Sequence, residues 1–426
     1  MTAASKQPAE SREITKVTNE LLDQWATDEK GPVALHLKQR LLPVEANDGE
    51  QAIIYPPTYA DIGYNIDKLS NGTKVALIDS VGSQANRMEP IFKAPAGMKR
   101  EDWLVPQIEI VLHSEACGEC DVCKKTADPK KRKATECKNP RKEKRSILEL
   151  AHRSADAVVQ SSPLLVGDVS KAFEALRQSG NAGLLCTLVP TSLVFGVWDS
   201  RGGTGEKRPR LVRAIIRAWD VEPLHAAAQF NSVWKALNED QQAELTKEAT
   251  KQKKKLSEKG LADAPAVFKA KTKIPKYLDG APNPEARVLG GVLAKDRIER
   301  EVTVNLVALR GLRGKNDDET KLIRKYLLGL SLLAATAEID LFLREGCNLR
   351  YAGADVWHSV PRRGDPTPVN LESEGARTLI QTYASAAAKL FRPKWPAIVE
   401  YEFSLAEAKK LLAKKDDEAP AEESDK

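Results

Sequence analysis

Long apolar runs are missing from this 426-residue chain. No stretch of about 18 apolar residues occurs, so a transmembrane helix and a membrane partner are not expected. The opening MTAASKQPAESREITK has no apolar core, which argues against a secretory signal and for a cytoplasmic protein. Histidine is scarce, with five residues, and neither H-E-x-x-H nor G-x-S-x-G is present, so the common hydrolase signatures are absent. Aromatic residues make up only 5%, which excludes a broad base-stacking sheet. If the ligand is a nucleic acid, contact with its phosphate backbone should dominate. No internal repeat is found. What is present, 42% hydrophobic and 30% charged residues, describes a globular chain able to bury a large core and long enough for two or three domains.

The net charge of +6 is modest but concentrated. Residues 124–145 hold eleven Lys or Arg against three acidic residues, and residues 200–217 hold six against one. The remainder is slightly acidic, so the basic charge is a local footprint of the kind that binds a polyanion. The second basic segment belongs to LVFGVWDSRGGTGEKRPRLVRAIIRAWDVEPL (193–224). LVFGVW (193–198) reads as a strand, and the loop after it carries glycines that allow positive φ and close approach of a ligand to the backbone. LVRAIIRAW then forms a second strand or a short helix, and in a helix Arg210, Arg213 and Arg217 would share one face. The loop is not a nucleotide-binding P-loop, because Lys207 is followed by Arg208 and the G-x-x-x-x-G-K-[ST] spacing is lacking. The plain alternative is a solvated hairpin loop.

Four of the six cysteines, Cys117, Cys120, Cys123 and Cys137, follow the spacing C-x2-C-x2-C-x13-C. Three thiols on adjacent turns and one returning after a loop can converge on a single zinc ion. An iron–sulfur cluster is the weaker alternative, since the fourth cysteine does not arrive after three residues followed by proline. Four free thiols in a loop is the third. His113 is a substitute ligand at a strand end, and Cys186 and Cys347 read as small buried residues.

The remaining chain alternates strands and helices, which predicts an α+β fold with insertions. TKVALIDS (73–80) and PQIEIVLH (106–113) read as strands, and SQANRMEPIF (83–92) as a helix with Ser83 as its N-cap. RSILELAHRSADAVVQS (145–161) and DVSKAFEALRQSG (168–180) have helical periodicity, the latter stopping at Gly180. Residues 226–260 read as helical, 261–287 as a linker or arm, and 298–312 as a long strand. The strongest helical signal spans 319–346 with Gly346 at its end, and the charged tail from Lys414 reads as disordered. His152, Arg153 and Asp156 lie close in sequence, a grouping that more often anchors a helix or meets phosphate than performs acid–base catalysis. Asp79 and Asp199, each at a strand end, are read as caps of a following turn rather than as Mg²⁺ ligands.

In order along the chain, DSVGSQANRMEPIF (79–92), HRSADA (152–157), FGVWDSRGGTGEKRPR (195–210), REVTVNLVALRGL (300–312) and LIRKYLLGLSLLA (322–334) resemble the Cas-seven backbone subunit of type I-G (formerly I-U) CRISPR Cascade effector complexes. That family is a branch of the RAMP superfamily, and the likeness covers roughly residues 70–350. It implies an RRM-like, ferredoxin-type palm with inserted fingers and thumb, forming a helical filament head to tail along a CRISPR RNA. The chain then divides into an extension of unknown role over 1–70 that no motif places, palm over 71–113 and 146–225, and a cysteine-rich finger over 114–145 whose role rests on its spacing and charge alone. A candidate thumb follows over 226–287, then the rest of the palm with C-terminal helices over 288–413, and a tail over 414–426. Carried over by motif, Ser83, Gln84, Asn86 and Arg87 would contact guide phosphates, with His152 and Arg153 facing RNA. Ser200, Arg201, Gly202, Gly203, Lys207, Arg208 and Arg210 would form the main RNA-binding segment. The resemblance implies a non-catalytic antiviral-defence subunit that presents its guide for pairing with target DNA. Its partners would be further copies of itself, a guide-processing subunit and a large subunit. The alternatives are a metal-dependent RNA-cutting subunit using Asp79, Asp156 or Asp199, and a stand-alone zinc-containing nucleic-acid-binding regulator.

Overall fold

The computed structural model describes residues 13–59, 62–126, 128, 134–198, 207–225, 233–254, 256, 261, 277–278, 281–282 and 289–413. Alternation in the sequence builds its centre. In strand Ile298–Asn305 every second side chain is buried, namely Ile298, Arg300, Val302 and Val304. It pairs antiparallel with Ala34–Pro43 on one side and Val212–Trp219 on the other. Both neighbours present matching rows, so Leu35, Val304 and Val212 line up across the sheet, then Leu37, Val302 and Ala214. Val212–Trp219 in turn pairs antiparallel with Lys74–Asp79, with a bulge between Ile216 and Arg217.

On the far side of Ala34–Pro43 lie Cys347–Tyr351 and Trp357–Val360, both antiparallel to it. Taken in chain order, Ala34–Pro43, Val212–Trp219, Ile298–Asn305 and the 347–360 strands stand in space as fourth, first, third, second, with Lys74–Asp79 added beyond the second and Ile66–Lys68 outside it. The first and second strands therefore run parallel with the third between them, which requires a crossover; the 81–198 helices lie in that connection. The fold is thus α+β, as its alternating pattern predicts.

Helix Asp317–Thr336 packs on this core and crosses Glu374–Phe391 closely. At Gly329 a Cβ would stand 2.8 Å from the Ala384 Cα, so only glycine permits that approach. Tyr326 and Phe391 stack there with ring centroids 4.7 Å apart. Asn316 caps the first helix by accepting from the Glu319 N–H, and three acidic residues in its first turn favour the positive end of the helix dipole.

Several expectations are corrected. Residues 34–43 fall in the segment read as an extension of unknown role over 1–70, and ALHLKQRLLP supplies a strand in the middle of the sheet. LVFGVW is not one strand. Thr191–Val194 is helical, Gly196 turns the chain at φ 76°, and only Val197–Trp198 is extended. A short, wholly apolar run has no period to separate a buried helix from a strand. Arg213 and Arg217 share a strand face and not a helical one. The 145–161 segment is broken: Ser146 ends a strand, and Arg153, at φ 52°, interrupts the helical turns before Ala157–Gln160. The 298–312 strand stops at Asn305, whose side chain accepts from the Ala308 N–H and starts helix Leu306–Arg310. The 319–346 helix ends at Thr336, and Gly346 instead turns the hairpin between Phe342–Arg344 and Cys347–Tyr351. The N-cap of Val81–Met88 is Ser80, which accepts from Ser83 N, and not Ser83 itself. Within 226–287, helix Glu239–Lys251 is described and carries a capping box of Asn238 and Gln241; most of 261–287 and the tail lie outside the described residues. No described helix is long and apolar enough to cross a membrane.

Candidate nucleic-acid cleft and metal centre

Three segments distant in sequence meet at one cleft of about 470 Å³. Gly82 and Asn86 come from helix Val81–Met88, and Ala151, His152, Arg153 and Ala155 from the turns before Ala157. Gly196, Val197, Trp198, Arg208 and Arg210 come from the Val197–Trp198/Lys207–Arg208 hairpin. Among the described residues that line it, none is acidic. Gly196 is required by position: besides its positive φ, a Cβ there would lie 2.7 Å from Arg210 Cγ and 3.0 Å from the Arg208 carbonyl oxygen. Packing around the Arg210 guanidinium, and then the like charges of Arg153 and Arg213, lower its pKa from the ordinary arginine value. Like charge around Arg210 is a field that an anion relieves.

Arg153 holds the cleft together from within. It is 5% exposed and its Nε lies 2.7 Å from Glu89 Oε2. Its two terminal nitrogens donate to Asn86 Oδ1 at 3.0 Å and to the Gly196 carbonyl at 3.4 Å, so one side chain ties all three segments. Burial pushes the Glu89 carboxyl up to about 7, against the pull of Arg153 and Thr191. Asn86 and His152 are exposed at the rim. Asp156 accepts from the His152 and Val158 N–H groups and so acts as a local cap.

The other expected contacts are placed differently. Gln84 is 0% exposed, donates to Asp79 Oδ2 at 2.7 Å and accepts from Arg300 Nε at 2.8 Å. Arg87 donates to Asp79 Oδ2 at 3.1 Å and to the Leu343 carbonyl at 2.8 Å. Both fasten their helix to the sheet; Gln84 is wholly buried and so does not face phosphate, whereas Arg87 keeps 27% of its side chain exposed. Asp79 is likewise 1% exposed and lies 3.6 Å from Arg344, so its role is a buried counter-ion and not a cap. Ser83 is half-buried on the same helix. Lys207 pairs in register with Trp198. Ser200, Arg201, Gly202, Gly203 and Asp199 lie outside the described residues.

One rim residue escaped the sequence reading. Trp198 is 64% exposed while its neighbour Val197 is 6% exposed, as period-2 alternation in a strand dictates. The signal was available: an aromatic residue placed between a buried valine and a basic loop.

The cysteine segment is a separate structure. Strands Glu109–Glu115 and Arg141–Ser146 form an antiparallel hairpin, and the cysteines lie between its two strands in sequence. The four sulfurs lie within 4.8 Å of one another. Cys137 Sγ is 3.4 Å from Cys117, 3.5 Å from Cys123 and 3.8 Å from Cys120. Sulfurs bound tetrahedrally to zinc at about 2.3 Å stand about 3.8 Å apart, so the set fits one such ion. Backbone N–H groups of Cys123 and Lys138 hold the Cys120 thiol down to about 6, while burial pushes Cys123 up to about 12. His113 lies 3.6 Å from Glu143 on the hairpin and is not among the clustered ligands. Part of the basic charge here is neutralised: Lys142 meets Glu400 at 2.8 Å, Lys144 meets Glu109 at 3.2 Å and also Glu400, and Lys138 meets Asp121 at 3.3 Å. Cys186 and Cys347 are fully buried, as expected.

Residues 35–223 match the family described as CRISPR-associated protein GSU0053 (Cas_GSU0053), a span of a little under half of the chain. The matched span contains the cleft and the cysteine hairpin, and it begins within the strand at the middle of the sheet. No curated protein matches the chain.

Proposed function

With a CRISPR-associated relationship as the premise, we propose that this chain is a non-catalytic backbone subunit. It binds the phosphates of a CRISPR RNA in its arginine-lined cleft and polymerises along the guide in a type I interference complex. The single observation that carries this reading is the convergence of Asn86, His152, Arg208 and Arg210 on one cleft with no acidic lining among the described residues. Such a site holds a polyanion through its backbone and leaves sequence to base pairing. The fourth-first-third-second strand order supports a ferredoxin-type, RRM-like palm. Target DNA, further copies of the chain, a guide-processing subunit and a large subunit are the partners this role requires.

Zinc is the cofactor we assign to Cys117, Cys120, Cys123 and Cys137. Sulfurs this close surround a single ion and leave no room for a multi-iron cluster. The ion would fix the fold of the hairpin insertion, which lies where a finger would project. The test is expression of the chain with a CRISPR array and its partner subunits, followed by sequencing of the RNA that copurifies. Discrete guide-length RNA in a large particle is expected. An RNA-free monomer, or metal-dependent cleavage of RNA paired to the guide, contradicts the proposal.

A further inference from the structure

The cleft has a feature that phosphate binding does not use. Trp198, at 64% exposure, leaves a large indole in water beside two arginines. Its backbone neighbours are fixed. Val197 is buried, Gly196 is locked beneath Arg210, and Trp198 is paired in register with Lys207. A flat, exposed ring at the rim of a cationic cleft matches one nucleotide: its phosphate over Arg208 and Arg210, its base on the indole. A protein partner fits less well, since a cleft whose described lining carries arginines and no acidic residue selects an anion.

Resting on the RNA-binding reading above, we infer that Trp198 is a stacking platform for one unpaired base of the bound RNA. The base that stacks there is withdrawn from the stack of its neighbours. The cleft therefore sets the strand's register through a base as well as through phosphates.

The full chain carrying Trp198→Ala or Trp198→Phe is compared with the unchanged chain on two labelled probes. One is octauridine and the other is the same ribose–phosphate backbone without bases. Because Trp198 is mostly exposed, both variants should melt as the unchanged chain does. Trp198→Ala is expected to weaken octauridine binding about five- to a hundredfold, while Trp198→Phe stays within a fewfold. Binding to the abasic strand should be unchanged in both, as should the salt dependence, because no phosphate contact is lost. Equal octauridine affinity for Trp198→Ala and the unchanged chain overturns the inference alone. Equal losses on both probes also overturn it, and assign Trp198 to the shape of the cleft. Retained RNA affinity with smaller assemblies makes it a contact between copies and overturns stacking. Failure of the unchanged chain to bind either probe sinks the RNA-binding reading and this inference with it.

Discussion

The cleft and the cysteine cluster are built in opposite ways. The cluster is local: its four ligands fall within 21 residues, and their spacing alone brings them together. The cleft is assembled from residues 82–86, 151–155 and 196–210, which approach only because a helix, a pair of turns and a hairpin are fixed to one core. Arg153 then clamps the three pieces through Glu89, Asn86 and Gly196. A site made by spacing depends on its ligand for shape, whereas a site made by packing is shaped before any ligand arrives. The two should therefore fail separately.

The largest effect is expected at the cluster. Cys123→Ser should abolish stoichiometric zinc, because structural zinc contributes on the order of 10 kcal/mol to the fold it closes. Amide exchange should rise sharply over 117–126 and stay unchanged in Ile298–Asn305. Loss of protection in both places would mean that the two regions are not independent.

Next is the buried row beneath the cleft's helix. Arg300 is 1% exposed and donates to Gln84 at 2.8 Å and Gln39 at 3.1 Å. Arg300→Met leaves both amide oxygens buried without that donor and should cost about 3 kcal/mol in denaturant unfolding. Metal content should not change. A cost under about 1 kcal/mol would show that the row is not a structural tie.

Of similar or somewhat smaller size is a pH effect inside the clamp. The Glu89 pKa stands at about 7 in the fold against an ordinary 4.5, so the folded chain holds a proton that the unfolded chain releases earlier. Stability then falls as pH rises between those two values, and the loss is complete above the upper one. Glu89→Gln lacks this titration. Relative to the unchanged chain it should gain about 3 kcal/mol between pH 4.5 and pH 7.5. Parallel stability curves over that window would remove Glu89 from the titration. The smallest effect is at the cap: Ser80→Ala should cost about 1 kcal/mol in thermal unfolding and leave the cluster untouched.

The same contrast explains what could be read from the sequence. The cysteine centre was legible because its geometry is in the spacing. The α+β class and strands such as Ile298–Asn305 were legible from alternation, whereas Ala34–Pro43 was missed and Val212–Trp219 stayed open between strand and helix. The three basic or polar motifs were legible one at a time, but their convergence was not, since nothing local says that residue 86 meets residue 153. Nor could residue type distinguish outward from inward arginines: Arg87, Arg153 and Arg300 are held by buried partners, while Arg210 lines the open cleft. Trp198 was missed because a low overall aromatic content says nothing about the placement of one ring, although its position beside a basic loop was there to be read.

The most direct test of the central claim is the salt dependence of RNA binding by the full chain and by Arg208→Ala/Arg210→Ala. If these two arginines neutralise phosphates, the double variant binds octauridine more weakly. The slope of log K against log salt should also shrink by about 1.4, near 0.7 for each lost contact on a single strand. An unchanged slope and affinity would contradict the assignment of this cleft to the RNA backbone.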